Sequence, residues 1–489
     1  MRTGAFTSIL ALAAVPAAMS AQQYRAHIDA RGQAVSFRGI VADSIRVDSV
    51  LPSANGGQVT PDGHAVRCGA GAYCYFFRPG ATRQGVPITT SASVAVWGLG
   101  VEGLAVHATG RVVADVGRDD VWPATEPQLQ LLEGFLEYRR AGVVARAGRQ
   151  LMTSRLQSLG FDGGWVNARW DKTAIDVTGY AGWGLGQAAV VAVSNPALNS
   201  LDDWRPADRQ IVAGAVASWQ AKYLDATAEY RREIDPLDHY FVSERAALSL
   251  GSGIGPWRAT SGVDYNMAES IVGNADVALT YLHSRFSVTG GARRYRPYFS
   301  LWTLWGAFSP VPYHAVHASA QVQATSWLTL HGRGEKYRYD DAEISTALVP
   351  DLEDRGWRVN TGATAAIGPR WRLDAQYSVE YGPGAAGRFI DGSVTWMPRE
   401  QLALNMYGGS MARPLELRYY DATSAWVGGR VDWQVTSQQQ LWTDIAYVAD
   451  DRNRPDASAW GGSQMRLRAG LRLSFGSHAD RLALPPAVR

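Results

Sequence analysis

The sequence predicts an all-β chain folded as a single transmembrane antiparallel up-and-down β-barrel. It should have about 22 strands, within a range of roughly 18 to 22, with short periplasmic turns and long extracellular loops. Three observations predict it. Apolar and polar residues alternate with period two through most of the 489 residues. The alternating segments are long, about 10 to 12 residues where soluble strands average about 5 to 6. They come in pairs joined by very short links, with longer polar stretches between pairs.

The alternation is clearest near the end of the chain. Leu467, Ala469, Leu471, Leu473 and Phe475 interleave with Arg466, Arg468, Gly470, Arg472 and Ser474. On a strand this puts one face in oil and three arginines on the other. Trp371, Leu373, Ala375, Tyr377, Val379 and Tyr381 repeat the pattern against Arg372, Asp374, Gln376, Ser378 and Glu380. So do Val427, Val431, Trp433 and Val435 against Arg430, Asp432 and Gln434. Ten or so tilted residues span a bilayer, and no helical pattern is present to cover the apolar face.

The pairs are 129–139 with 143–151, 161–171 with 174–184, 210–220 with 224–233, 240–250 with 257–266, and 272–282 with 285–294. Then come 313–325 with 327–338, 357–367 with 370–381, 387–397 with 401–409, and 422–435 with 440–449. Segments 26–37, 91–99, 103–116 and 463–475 complete the count of about 22, an even number with both termini on the short-turn side. The barrel is thus expected over residues 22–476, with residues 39–88 as a long first loop, residues 185–209 as a constriction loop, and residues 477–489 as a tail.

Composition agrees. The chain holds 51 glycines, 18 tryptophans, 21 tyrosines and 2 cysteines, with a formal net charge of +2. That excludes a disordered chain, a disulfide scaffold and a strongly basic nucleic-acid binder. The lysines are Lys172, Lys222 and Lys336; every other basic residue is arginine. Arg2, the apolar run 5–19 and the small pair Ser20 and Ala21 read as a secretory signal peptide over residues 1–21. No later segment approaches the ~20 apolar residues of a membrane helix; the best run, 188–193, is far too short.

Trp170, Trp219, Trp257, Trp371, Trp396 and Trp433 phase outward beside short turns, with Tyr138 and Tyr281. Tyr230, Tyr265, Tyr381 and Tyr447 lie near the opposite strand ends. Two such belts match the heights at which amphipathic rings meet headgroups. Trp327, Trp426 and Trp442 phase inward and fall outside the girdle.

Candidates for chemistry are few. Cys68 and Cys74 are expected to form one local disulfide, since the chain is exported. A metal pair with His64 is the weaker reading, because four ligands are usual. His239 with Asp238 and Asp235 is a loop cluster that could imitate a hydrolytic site, but reads more simply as a solvated loop. His331 phases into a charged wall, and neither G-x-S-x-G nor H-E-x-x-H occurs. No catalytic group, metal or cofactor is expected. The lumen is the functional candidate. Its expected lining is Arg146, Arg149, Arg155, Arg169, Arg231, Arg258, Arg333, Arg358, Arg372, Asp374, Arg430, Asp432, Arg466, Arg468 and Arg472, with Glu133, Glu137, Glu229 and Asp264 interspersed. Fixed charge in a narrow aqueous bore selects solutes by width and field.

Gly148-Arg149-Gln150, then Arg155, then Phe161-Asp162-Gly163 opening a strand, resembles the alginate-export-type family of outer-membrane porins over about 25 residues. The resemblance implies an 18-stranded channel with an arginine-rich bore for anionic saccharides or small acids. The count here is higher, and Phe475 is followed by a polar tail where such barrels end on an aromatic. Residues before the second strand are too few for the plug of a TonB-dependent receptor. The expectation is an outer-membrane porin of a diderm bacterium, passing small polar or anionic solutes without a chemical step. Its expected partners are outer-membrane lipid, the barrel-assembly machinery and those solutes, with no nucleic acid. Alternatives are a sheath for a periplasmic electron-transfer protein and, more remotely, a hydrolase using His239.

Overall fold

A computed structural model of the chain describes residues 23–52, 57–64, 66–117, 129–185, 210–236, 241–296, 312–340, 354–382, 385–415, 420–452 and 460–477. The expected signal peptide, the 188–193 run with residues 186–209 around it, Asp238 with His239, and the tail from residue 478 lie outside the described residues.

Among these residues the strands are β1 (Gln23–Arg46), β2 (Leu51–Pro52), β3 (Gln58–Val59), β4 (Val66–Cys68), β5 (Tyr73–Gly85), β6 (Pro87–Trp97), β7 (Leu104–Asp115), β8 (Leu129–Arg140) and β9 (Val143–Ser154). There follow β10 (Gln157–Trp170), β11 (Ile175–Gly184), β12 (Ile211–Gln220), β13 (Leu224–Ile234), β14 (Phe241–Ile254), β15 (Trp257–Asn266), β16 (Ile271–Leu282), β17 (Phe286–Tyr295) and β18 (Tyr313–Gln323). The rest are β19 (Leu328–Tyr339), β20 (Arg355–Ile367), β21 (Trp371–Gly382), β22 (Ala385–Arg399), β23 (Leu402–Leu415), β24 (Tyr420–Thr436), β25 (Gln439–Arg452) and β26 (Trp460–Gly476).

From β6 to β26 each strand pairs antiparallel with the next, and β1 closes the ring between β26 and β6. The result is a closed antiparallel barrel of 22 strands, at the upper end of the expected range and above the 18 that the resemblance implies. Closure leaves no free edge along the membrane-spanning height, which a hydrocarbon surround demands of any β-structure. Links at the end that holds the start of β1 and the end of β26 run from two residues (141–142, 255–256, 437–438) to six (98–103). At the other end residues 185–210, 296–312 and 340–354 span the longest gaps. Every expected strand is present, most with boundaries shifted by a few residues, while β1 runs nine residues past its expected end at Phe37.

Burial is inverted relative to a soluble protein. Leu136, Val166, Leu248, Val277, Leu279, Val316, Ile390, Val427 and Leu467 are all exposed, while Glu137, Arg231, Glu335, Asp432 and Asp444 are buried. The period-two pattern explains both: odd and even positions point to opposite sides of the wall. The expected girdle lies on the outer side. Trp170, Trp219, Trp257, Trp371, Trp396 and Trp433 are exposed. Trp371 and Trp396 are register partners whose rings stack at 5.6 Å, and Trp257 meets Tyr281 edge-on at 4.9 Å. Trp442 faces inward as expected, beneath the Arg430 guanidinium at 4.6 Å. Trp327 does not. It sits exposed in the 324–327 link, where the strand phase no longer applies.

The expected first loop over 39–88 is instead largely strand. β1 is 24 residues long; it pairs with β26 only as far as Val35, and residues 36–46 continue against β5. Eleven residues at ~3.3 Å make a two-stranded ribbon that extends the wall by about 35 Å. The alternation of β1 stops at a bulge between Arg38 and Ile40, which is why the sequence pattern reads as a strand end. β4 lies along β5, and the expected disulfide Cys68–Cys74 joins them.

Candidate functional site: the charged lumen and an inward-folded hairpin

The sequence places Arg231, Arg333, Arg372 and Arg430 two residues from a carboxylate on the same strand face, and the structure pairs them. Arg372 reaches Asp374 at 2.8 Å, Arg430 reaches Asp432 at 2.6 Å, and Arg333 reaches Glu335 at 3.4 Å. Register adds longer-range pairs: Arg146 with Glu137 at 2.8 Å, Arg468 with Asp444 at 2.7 Å, and Arg472 with Asp29 at 2.9 Å across the closing seam. Arg146 is also sandwiched over the rings of Phe135 and Trp165. Glu335 is the densest node. Its buried carboxylate takes Arg293, Arg333 and Arg358, and both Arg293 and Arg358 also donate to the Tyr313 hydroxyl. Arg169 pairs with Asp171 in a turn, Arg258 caps the carbonyls of Gly255 and Trp257, and Arg466 donates to Gln464. The wall is therefore a lattice of ion pairs, not a bare cationic surface.

A second feature narrows this space. Strand β9 loses its ladder with β8 beyond Arg149, and β10 gains its ladder with β11 only from Phe161. Between them residues 150–160 form a hairpin tip that, among the described strands, ladders only with itself, down to Ser154 opposite Gln157. The tip folds into the barrel. Arg231 on β13 is 1% exposed, and its guanidinium donates to the carbonyls of Leu156 (2.9 Å) and Gln157 (3.0 Å) and to Ser154 Oγ (3.2 Å). Glu229, on the same face, accepts from Ser154 Oγ and from the Leu156 amide. Arg155 reaches further, to Asp276 on β16 at 2.5 Å and Asp264 on β15 at 4.0 Å. β16 is the sixth strand on from β10. Six spacings of ~4.8 Å are about 29 Å along the wall, so the turn has left the wall and lies across the inner face of its neighbours.

Small local details make this fold possible. Leu159, Phe161, Tyr180 and Val212 form a buried apolar cluster inside the barrel, with Met152, Trp165 and Val216 against it, and this seats the hairpin. Gly262 leaves room for Arg155: a Cβ there would lie 2.1 Å from its Nη1. The base of the hairpin is the very motif that carries the family resemblance. Arg149 and Asp162 are register partners joined by two hydrogen bonds of 2.8 and 3.0 Å, Gly148 faces Gly163, and Gln150 donates to the Gly163 carbonyl. Gly148 has φ 129°, a conformation open to glycine, and a Cβ on it would sit 2.3 Å from the Gly134 carbonyl oxygen.

One expected lining residue changes role. Arg149 shares its strand face with exposed Leu151 rather than with Arg146, because three positions separate it from Arg146 on a period-two strand; it clamps the hairpin base instead of lining the bore. The expected constriction by residues 185–209 falls outside the described residues, apart from Leu185, whose amide donates to the Gly160 carbonyl at the hairpin. Sequence reading placed Arg155 and Arg231 in the lumen, but nothing in their spacing tied them to each other's hairpin.

No family model matches the chain. No curated protein matches it. Among solved structures it is similar to the ferric enterobactin receptor PfeA of Pseudomonas aeruginosa, solved with enterobactin (TM-score 0.52, 9% identity, covering 91% of this chain and 81% of that one). It is also similar to the siderophore receptor PirA of the same organism (TM-score 0.50, 10% identity, 93% and 80%). The outer-membrane protein OpdK of Pseudomonas aeruginosa superposes at a TM-score of 0.38 with 10% identity, covering 92% of this chain and 99% of that one. At such identities the likeness is one of fold: a closed 22-strand barrel of the outer-membrane kind.

Proposed function

We propose that the protein is an outer-membrane channel for passive diffusion of small polar or anionic solutes, of the type that the alginate-export resemblance implies, with its bore set by the inward-folded hairpin. The observation that carries the reading is the hairpin tip, held by Arg231, Glu229 and Arg155 inside an ion-paired wall. A polar lumen needs water, and a fixed element leaning into it sets a width. The surplus of arginine over carboxylate around Glu335 favours anions modestly. On this reading β-turns of two to six residues face the periplasm and the longer connections face outward.

Single-channel recording in planar bilayers tests it. The wild-type barrel should give stable open currents without any partner. A variant with residues 152–159 replaced by a two-residue turn should conduct more. Unchanged conductance would remove the hairpin from the mechanism. Absence of any current would sink the channel reading, and would favour a partner-filled sheath or an energised receptor built on the same wall.

A further inference from the structure

Outward faces of membrane barrels are apolar, and one sector here carries a run of basic residues across four neighbouring strands. Four strands in succession bring ionisable residues into a single register row: Arg294 on β17 faces His314 on β18, His314 faces Arg338 on β19, and Arg338 faces Arg355 on β20. The row lies on the lipid-facing parity, level with Ala275 and one step from Val277 and Val316, both more than half exposed. The next row toward the bilayer runs Val277, Ala292, Val316, Lys336, Trp357 and Tyr381. Lys336, one of three lysines in the chain, thus projects from among valines and belt aromatics. Elsewhere at this end of the strands the outward positions include Tyr230, Tyr265 and Tyr447, and on β13 and β14 the opposed charges Arg232 and Glu244 are register partners.

These side chains surround an open cleft of about 800 Å³ with Val277 and Val316 in its floor. Asp340 approaches Arg294 at 3.6 Å and His314 at 3.2 Å, and Asp354 takes Arg338 at 2.6 Å and Arg355 at 3.4 Å. Among the described residues four permanent cations therefore face two carboxylates. Lys336 has no acidic partner among the described residues, and Arg294 Nε is buried without an acceptor. Like charges on directly opposed strands repel, so an arrangement of this kind is stabilised by an anion placed between them. Apolar floor below and cations above is the outline of a lipid whose head carries phosphate: acyl chains lie against the valines, and Lys336 extends upward to the head.

We propose that the outward face of β16–β20 at the long-loop end binds the phosphorylated sugar headgroup of an outer-leaflet glycolipid of the lipid A type. The proposal rests on the membrane reading above, but not on conduction. The test uses the purified full-length barrel in detergent, with native mass spectrometry as readout and three probes: bis-phosphorylated lipid A, dephosphorylated lipid A, and inorganic phosphate. Wild type should retain one bis-phosphorylated lipid A. The Arg294→Gln/Lys336→Gln/Arg338→Gln variant should retain at least about tenfold less, with its heat-modifiable gel mobility and single-channel conductance unchanged, since these residues lie outside the bore. Equal retention by the variant, or equal retention of the dephosphorylated lipid, would overturn the site. Displacement of lipid A by micromolar inorganic phosphate would overturn its assignment to a lipid. Failure of conduction alone, with lipid retention intact, would count against the channel and leave this site standing.

Discussion

Arg231 does the most of any single side chain to hold the hairpin, and its energetics make a sharp prediction. Its charge is buried against Glu229 and two carbonyls. Removing one partner of a buried ion pair costs about 3–5 kcal/mol, while replacing both by apolar residues is close to neutral. Arg231→Met should therefore release the tip and raise single-channel conductance, and Arg231→Met/Glu229→Leu should bring conductance back toward the wild-type level. Equal conductance in all three would detach the pair from the constriction. Gly163 gives a second case: its Cβ would lie 2.1 Å from the Ala181 carbonyl oxygen, so Gly163→Ala must part β10 from β11. A loss of about 1–3 kcal/mol, read from the urea midpoint in vesicles, is expected. At this scale the sequence was half legible. Pairs such as Arg372 with Asp374 and Arg430 with Asp432 follow from two-residue spacing on one face. The contact of Arg155 with Asp276 does not, because 121 residues and six strands of register lie between them.

Strands were the most legible elements, since a wall with oil on one side and water on the other enforces alternation at every position. The same logic sets how much each outward position tolerates. Leu279 lies one outward position deeper into the apolar band than Tyr281, which lies in the belt. Arginine at a midplane position costs about 2–4 kcal/mol and near the interface about 0–1. Leu279→Arg should lower the urea midpoint of the vesicle-inserted barrel well beyond Tyr281→Arg; similar shifts would place β16 at another depth. Where alternation lapsed, legibility did too. In the ribbon of residues 36–46 and 73–84 a bulge after Arg38 breaks the phase of β1, and only a short stretch of β5 is sided, with buried Cys74 and Phe76 alternating with exposed Tyr73 and Tyr75, so the sequence pattern there resembles a loop. Cys68→Ser/Cys74→Ser should loosen that ribbon by about 2 kcal/mol, the entropy of so short a closed loop. Trypsin should then cut it faster, while heat-modifiable mobility of the barrel stays as in wild type.

The whole molecule is a balance of charge sorted by side rather than by domain. A formal net charge of +2 conceals a wall in which most arginines meet carboxylates. Reversal potentials in a salt gradient should show only a modest preference for anions that weakens as salt screens the pairs; strict anion selectivity would mean that the acids of the wall contribute little. The barrel itself was legible as a whole because a count of long alternating segments is a count of strands; the hairpin inside it was not, because folding inward leaves no periodic trace. Closure has one more consequence, which concerns time. β1 and β26 stand at opposite ends of the barrel's strand order, and Ala26 meets Phe475 only once every strand between them has been exported. Any chain that stops before β26 has two raw edges, on β1 and β25, with rows of amides that a bilayer core does not forgive. Sequence separations of this size also make closure a slow event relative to hairpin formation. Each neighbouring hairpin can form locally and early, yet none becomes secure in the membrane until the final strand zips against the opening one. The seam is thus the molecule's completeness check: a truncated or stalled copy presents itself as an open sheet, the form in which strand edges invite wrong partners.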